Sequence, residues 1–165
     1  MDYLKRVTTP EEVEAVSKMA DIIWKEHYRG IVTMAQIEYM LDKFQSPEAI
    51  QNAMDTEGYV YYFIQPEDKP WGYIGAQPNN PEGKLLLSKF YLYLSMRGRG
   101  IGSKALSELE TVAKGLGLHA IWLTVNRRNP SVALYESMGF KKGEMIQTEI
   151  GRGFIMDDFV MEKDI

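Results

Sequence analysis

The residues Arg97-Gly98-Arg99-Gly100-Ile101-Gly102 connect a predicted strand, Lys84 to Leu94, with a predicted helix, Ser103 to Leu116. Glycine at every second position removes side chains, so an anion can approach the main chain closely. The amide groups at the start of a helix lack partners within that helix, and the helix dipole adds about half a positive charge there. Because Arg97 and Arg99 add full charges, the turn predicts a binding site for phosphate or pyrophosphate.

Two common nucleotide-binding motifs do not fit this turn. The dinucleotide fingerprint G-x-G-x-x-G requires a glycine where the chain has Ser103, and the P-loop requires a glycine directly before Lys104. The spacing R-x-x-G-x-G suits a third type of pyrophosphate site, which holds an acyl-coenzyme A. Taken alone, the turn is equally compatible with a glycine-rich connector that binds nothing.

The composition of the 165 residues excludes several classes of site. The chain has no cysteine, which excludes disulfides, thiolate catalysis and cysteine-bound zinc. Its two histidines, His27 and His119, lie far apart in sequence, so no metal site is expected. The net charge of −4 argues against a nucleic-acid partner, since that function needs a basic face.

The same composition suits one soluble domain. Apolar residues make up 45% of the chain, which is enough for a full hydrophobic core. The N-terminal sequence MDYLKRVTTPEE lacks the apolar segment of a signal peptide, and no apolar run reaches the roughly 18 residues of a membrane span. We therefore expect a cytoplasmic protein without a membrane partner.

Hydrophobic periodicity changes along the chain from helical to extended. Thr9 to Glu12 and Thr33 to Gln36 have the spacing of capping boxes, and each precedes an apolar stripe at helical intervals. From Tyr59 onward, segments rich in aromatic and β-branched residues predict strands, which are interrupted by the helix Ser103 to Leu116 and by a short helix at 130–137. This order predicts an α/β domain with helices on both faces of a mixed sheet.

Several segments between Lys84 and Lys142 share the pattern of one protein family. They are the strand segment Phe90-Tyr91-Leu92, the glycine turn, the strand Trp122-Leu123-Thr124-Val125, and Asn129-Pro130-Ser131-Val132-Ala133-Leu134-Tyr135-Glu136-Ser137-Met138-Gly139-Phe140. With these segments the chain resembles the GNAT superfamily of N-acetyltransferases. The resemblance implies an α/β (α+β) fold with a mixed central sheet of six to seven strands, splayed between strands 4 and 5.

The resemblance also implies a single GNAT-like domain over residues 1–165. Residues 1–57 would form a helical region on the acceptor side, and residues 58–94 a set of antiparallel strands. Residues 95–140 would form the core that binds acetyl-CoA, and residues 141–165 the C-terminal strands.

Acetyl-CoA is the cosubstrate that the resemblance implies, with no metal. Its pantetheine arm would pair with the backbone of Phe90, Tyr91 and Leu92. The side chains of Asn129 and Tyr135 would reach it from the start and the middle of the short helix. Its pyrophosphate would bind the turn, which comprises Arg97, Gly98, Arg99, Gly100, Ile101, Gly102 and Ser103.

The reaction that the resemblance implies is direct attack of a neutral amine on the thioester, without a covalent enzyme intermediate. Tyr135 matches the residue that commonly returns a proton to the departing CoA thiolate. By its residue type alone, Tyr135 also suits the packing of a short helix. A backbone N–H near Leu92 is expected to stabilise the oxyanion.

The base that deprotonates the amine is left open by the sequence. Some family members carry a glutamate on the fourth or fifth strand, whereas this chain has Thr124 at one such position. Glu26, Asp157 and Asp158 are the alternatives, although each also suits a surface or turn carboxylate. Because adjacent residues of a strand point to opposite faces, at most one of the two aspartates faces the acceptor.

The acceptor site is expected near the connection between the first two helices, where Trp24, His27 and Tyr28 supply aromatic and polar groups. The pattern there, which includes Ile31, is loosely similar to polyamine (spermine/spermidine) acetyltransferases. Trp24 and His27 also suit packing in the core. A small-molecule amine, polyamines first, is the expected acceptor. The alternatives are a protein α-amino or lysine acetyltransferase and a non-catalytic CoA-binding module, and a homodimer is left open.

Overall fold

The computed structural model describes residues 2–30 and 32–165. Within them, seven strands form one mixed sheet in the order β1-β2-β3-β4-β5-β7-β6. Each neighbouring pair is antiparallel except β4 and β5, which are parallel. The strands are β1 (Leu4–Arg6), β2 (Val60–Ile64), β3 (Gly72–Pro78), β4 (Lys84–Leu92), β5 (Ala120–Asn126), β6 (Lys141–Gly151) and β7 (Phe154–Asp164).

Polar caps determine where the first three helices begin. The Glu12 carboxylate accepts a hydrogen bond from the Thr9 N–H at 3.0 Å, and the Thr9 hydroxyl accepts one from the Glu12 N–H. The side chains of Thr33 and Ser46 cap the next two helices. The starts at Thr9 and Thr33 are the ones that the sequence predicts. The helices are α1 (Pro10–His27), α2 (Met34–Gln45), α3 (Pro47–Thr56), α4 (Ile101–Gly115) and α5 (Ser131–Ser137).

The helices divide between two hydrophobic cores. Helices α1 to α3 cover one face of the sheet, where Tyr61 and Tyr73 are fully buried. Helices α4 and α5 cover the other face, where Leu106 and Leu109 of α4 are buried together with Leu87 of β4. Both faces of the sheet are therefore covered, and the predicted α/β arrangement is confirmed.

Strands β4 and β5 separate after a short stretch of pairing. They pair only between Lys84–Leu86 and Ala120–Trp122, although both strands continue beyond these residues. On the other edge of β4, Ser88 has no partner in β3 and forms a bulge, which bends the strand. The two strands therefore splay apart and leave a wedge between their C-terminal halves. This opening is the one predicted between strands 4 and 5.

The structure differs from the sequence prediction at several element boundaries and by one additional strand. Strand β4 ends at Leu92 rather than Leu94, because Leu94–Met96 forms a short 3-10 turn. Helix α4 begins at Ile101 rather than Ser103, since Gly100 is its N-cap. The region 1–57 is not purely helical, because β1 pairs with β2 at the edge of the sheet. A strand of three residues is too short to show an alternating pattern in the sequence.

Candidate active site

A cavity of about 500 Å³ occupies the wedge and extends over the α1–α3 face of the sheet. Its lining includes residues of all three of those helices, of β2, β4 and β5, of the β5–α5 connection, and of the β6–β7 hairpin. A cavity of this size is typical of sites for small molecules. Because the wedge and the helix-covered part are continuous, a ligand held between β4 and β5 would meet one that lies beneath the helices.

The glycine turn lies at the C-terminal end of β4, beside the wedge. Gly98 and Gly100 have φ angles of 76° and 75°, in the left-handed region that favours glycine. A Cβ atom built on either residue would meet open space. The first hydrogen bond of α4 runs from the Lys104 N–H to the Gly100 carbonyl at 3.3 Å, so the N–H groups of residues 101–103 have no acceptor within the helix. The turn therefore offers backbone donors and room for an anion.

Gly102 has a different role in this turn. A Cβ atom at Gly102 would lie 3.4 Å from Cζ of Phe90 and 3.7 Å from Cδ1 of Leu92. The absence of a side chain lets the first turn of α4 pack closely on β4. The predicted anion site therefore uses its glycines in two ways, since two of them shape the turn and the third seats the helix.

His27 joins the two sides of the wedge. Its Nδ1 atom lies 2.9 Å from Nη2 of Arg97, and its Nε2 atom lies 2.8 Å from Nδ2 of Asn129. Burial, together with the nearby Arg97 charge, lowers the pKa of His27 to about 4, so the ring is neutral at pH 7. The sequence predicts His27 as an acceptor contact. The structure instead places it against two residues that are predicted to bind the cofactor, and it is absent from the described lining of the cavity.

Tyr135 faces the cavity from the α4–α5 side. Its ring packs 6.0 Å from Phe90 and 5.6 Å from Phe140, measured between ring centroids. Burial raises the pKa of Tyr135 above its ordinary value, so the hydroxyl keeps its proton at neutral pH. Asn129 starts the same helix, because its Oδ1 atom accepts a hydrogen bond from the Ser131 N–H at 2.8 Å.

The three candidate bases lie in different places. Glu26 is exposed and accepts a hydrogen bond from the Leu94 N–H, outside the cavity lining. Asp157 forms an ion pair with Arg127 at 2.9 Å and is likewise outside that lining. Asp158 lines the cavity and is buried. Adjacent aspartates do point apart, and Asp158 is the one of these three carboxylates that a ligand in the cavity would meet.

Asp158 is held in an environment that disfavours its charge. Its Oδ1 atom is buried and has no hydrogen-bond partner among residues 2–30 and 32–165. Burial, with a smaller contribution from the Asp157 charge, raises the pKa of Asp158 to about 6. The carboxylate is therefore mainly ionised at pH 7 and has a free oxygen that can accept a proton.

Aromatic residues form the helical wall of the cavity. Trp24 and Tyr28, both predicted as acceptor contacts, belong to the lining. The Trp24 indole N–H already donates to the hydroxyl of Tyr73 at 2.8 Å, whereas the Tyr28 hydroxyl lies 2.8 Å from that of Tyr91 on β4. Burial raises the pKa of Tyr28 to about 12. Ile31, another residue of the predicted pattern, lies outside the described residues.

Comparison with known proteins identifies the family. The sequence profile described as the acetyltransferase (GNAT) family matches residues 16–140, which is most of the chain. The chain belongs to the GNAT family. It is an acetyl-CoA-dependent acyltransferase.

Individual relatives agree with the family but do not name an acceptor. The chain is 25% identical over 114 residues to the uncharacterized N-acetyltransferase YycN of Bacillus subtilis, covering 67% of this chain and 73% of YycN. It is 32% identical over 95 residues to YdgE of the same organism, covering 55% and 60%. Among solved structures, a PaiA N-acetyltransferase of Thermoplasma acidophilum, crystallised with coenzyme A, has 24% identity, full coverage of both chains and a TM-score of 0.79. The resemblance to polyamine acetyltransferases finds no support in these names.

The residues of this acetyltransferase suit acetyl-CoA. The turn combines unpaired helix-start amides with Arg97 and with Arg99, whose guanidinium lies 5.7 Å from the ring centroid of Trp71. Phe90, Tyr91, Asn129 and Tyr135 line the wedge end of the cavity. Among the described residues, no group of three or more acidic or imidazole side chains is arranged to hold a metal ion. Within the same residues, no helix combines the length and apolar character needed to cross a membrane.

Two cavity residues were not singled out in the sequence. Lys89 and Tyr61 both line the cavity on the α1–α3 face of the sheet. A lysine between Leu87 and Phe90, in the middle of a mainly apolar strand, is a signal that the sequence does contain. Tyr61 gives no such signal, because an aromatic residue in a strand is what core packing also requires.

Proposed function

We propose that this GNAT acetyltransferase moves the acetyl group of acetyl-CoA directly onto the primary amine of a small molecule that enters the cavity over the α1–α3 face. The observation that carries this proposal is the location of Asp158. It pairs in register with Asn126 at the end of β5, where that strand borders the wedge. Tyr135 lines the same cavity from the other side. A proton acceptor and a proton donor therefore flank the wedge.

Asp158 would prepare the amine. A primary amine is mostly protonated at neutral pH and must lose a proton before it can attack. A carboxylate whose pKa is about 6 is ionised at pH 7 yet is a stronger base than an ordinary aspartate. The unpaired Oδ1 atom can accept the proton of the amine, either directly or through a water molecule.

Tyr135 would complete the transfer. The amine nitrogen bonds to the thioester carbonyl carbon, and the C–S bond then breaks. The departing thiolate takes the proton of the Tyr135 hydroxyl. The nitrogen loses its second proton as the amide forms, and this proton restores the Tyr135 hydroxyl through solvent, while Asp158 releases the first proton to solvent. The high pKa of Tyr135 keeps this proton in place until the thiolate forms.

The backbone of β4 would stabilise the oxyanion. The Tyr93 N–H donates to the Trp71 carbonyl, on the β3 side of β4, at 2.9 Å. Since successive N–H groups of a strand alternate between its two edges, the Leu92 N–H points to the edge that faces the wedge. A donor held there meets the developing negative charge without reorganisation.

The acceptor class can be tested with purified protein and acetyl-CoA. A panel of primary amines, including spermidine and ω-amino acids, would be followed by thiol release and by mass spectrometry of the N-acetylated product. We expect transfer to at least one small amine, and little transfer by the Asp158→Asn variant. If calorimetry detects CoA binding while no amine is acetylated, the chain is a non-catalytic CoA-binding module and the proposal fails.

A further inference from the structure

Lys89 presents a positive charge to the cavity without a counter-ion. Its Nζ atom lies 4.7 Å from the ring centroid of Tyr59. No carboxylate within residues 2–30 and 32–165 lies within 4.0 Å of it. Lys43, the other lysine of the lining, instead donates to the Ile150 carbonyl at 2.7 Å. Lys89 is therefore a cation that has an aromatic neighbour but no ionic partner.

Tyr61 adds an unused hydroxyl at the same place. It is fully buried, and its hydroxyl has no hydrogen-bond partner among the described residues. A Cβ atom built on Gly75 would lie 2.9 Å from Cε1 of Tyr61 and 3.1 Å from Cδ of Lys89, so the two side chains lie side by side over that glycine. A buried polar group without a partner costs free energy, which a ligand that accepts a hydrogen bond would recover.

The surroundings of Lys89 do not neutralise it. Glu57 also lines the cavity, but it is exposed, and its carboxylate accepts a hydrogen bond from Nδ2 of Asn52 at 3.1 Å. Its charge raises the pKa of Lys89, yet burial has the larger effect and lowers that pKa to about 8. At pH 7 the amine is still mainly protonated, in a site where a bare cation is disfavoured.

We infer that the acceptor of this acetyltransferase carries an anionic group, such as a carboxylate, which binds Lys89 and Tyr61 while its amine lies in the wedge near Asp158. This inference rests on the proposed transfer to an amine. In the sheet order, β5 lies between β4 and β7, and β4 no longer pairs with β5 at Lys89, so Lys89 and Asp158 lie at least two strand spacings apart, on the order of 10 Å or more. An ω-amino acid extended across β4 and β5 has its two charges at about that separation, whereas a polyamine would bring a cation to Lys89.

The inference is tested with acceptor pairs that differ only in the charge of interest. Glycine, γ-aminobutyrate and ε-aminocaproate would each be compared with the corresponding carboxamide, with spermidine as the cationic probe. We expect the best acid to exceed its amide by about tenfold or more in kcat/KM, as for a hydrogen bond to a charged group. Lys89→Met should remove most of this preference, and Tyr61→Phe part of it, with little effect on the amides.

Lys142→Met is a matched control. Lys142 also lies over an aromatic ring, at 5.0 Å from the centroid of Phe159, but it is outside the described lining of the cavity. We expect this variant to keep the preference for acids. The inference would be overturned if the wild-type protein acetylated amides with the same kcat/KM as acids. It would also be overturned if Lys89→Met lowered kcat/KM equally for acids and amides.

A binding measurement separates this inference from the proposed function. Calorimetric titration of the CoA-bound protein with the same acids and amides does not depend on transfer. Binding of an acid that is lost in Lys89→Met would support the anion site even if no acceptor is acetylated. If the protein acetylates spermidine but binds none of the acids, the anion site is refuted. The proposal that the protein acetylates a small amine would still stand.

Discussion

The Nε2 atom of His27 lies 2.8 Å from the Nδ2 atom of Asn129, so the last turn of α1 is in contact with the connection between β5 and α5. The amide orientation of Asn129 is set by its other hydrogen bond, to the Ser131 N–H. Arg97 also points a donor at the ring, toward Nδ1. A neutral imidazole has one acceptor nitrogen, so it satisfies one of these two donors. The other is available to an anionic ligand.

We therefore propose that His27 positions Arg97 and Asn129, which are predicted to bind the cofactor. In His27→Ala, Arg97 and Asn129 lose the imidazole ring that fixes their side chains. The binding of acetyl-CoA then has to order these side chains, which lowers its affinity. We expect KM for acetyl-CoA to rise about three- to tenfold while kcat changes little. His119→Ala is the control, since His119 contacts the loop at Gly83, away from the wedge. Equal effects of the two substitutions would contradict this role.

The second prediction concerns the rate of Asp158→Asn. Loss of a general base typically costs a factor of about 10²–10⁴, and we expect kcat/KM to fall within that range. In the wild-type protein, kcat/KM should decline as the pH falls below about 6, because protonated Asp158 cannot accept a proton. This acidic limb should be absent from the residual activity of the variant. Asp157→Asn, which breaks an ion pair outside the cavity, should keep the acidic limb and move it slightly to lower pH, because the Asp157 charge contributes to the raised pKa of Asp158.

The same substitution should stabilise the fold. The pKa of Asp158 is higher in the folded protein than the ordinary value of 3.8. The folded state therefore binds more protons between pH 4 and 6, and its stability falls as the pH rises through that window. We expect Asp158→Asn to raise Tm by roughly 2–6 °C at pH 8 and much less at pH 4. Thermal melts at both pH values would measure this difference, and a gain that is the same at both would show that charge burial is not the cause.

Tyr135→Phe removes the hydroxyl without changing the ring that packs between Phe90 and Phe140. The thiolate would then leave without a positioned proton donor, so kcat should fall by about 10–100-fold. The Kd for CoA, measured by calorimetry, should stay within about twofold. Tyr62→Phe is the matched control, since Tyr62 lies in β2 next to the β1 edge of the sheet, away from the wedge. An unchanged kcat would remove Tyr135 from the proton path.

Gly100→Ala tests the glycine turn, and Gly117→Ala is its control, because both glycines have a similar positive φ angle. Gly100 and Gly117 have φ angles of 75° and 79°, and a Cβ atom on either meets open space. Alanine at either site should cost about 1–2 kcal/mol in the free energy of unfolding. Only Gly100→Ala should also weaken acetyl-CoA binding, because its methyl group enters the space beside the helix-start amides. Equal binding by both variants would argue against an anion at this turn.

Local features of the chain were readable from sequence because they depend on neighbouring residues. The caps at Thr9 and Thr33, the glycine turn and the order of strands and helices all follow from short-range patterns. The family segments Phe90 to Leu92 and Asn129 to Phe140 added the sheet opening, which the structure confirms. The predicted cofactor contacts at these positions stay predictions, although the wedge brings most of them together.

The sequence by itself determined that a glycine-rich turn lies between a strand and a helix, since the spacing of glycines is a local feature of the chain. That an anion binds at this turn stays a prediction. Only the tertiary structure decided which of Glu26, Asp157 and Asp158 reaches the cavity, because that depends on the register between β5 and β7. The tertiary structure also placed His27 beside Arg97 and Asn129, and it brought Lys89 next to Tyr61. Those positions depend on the bulge at Ser88, the separation of β4 from β5 and the packing of α1. These are relationships between residues far apart in the chain, which no local pattern encodes.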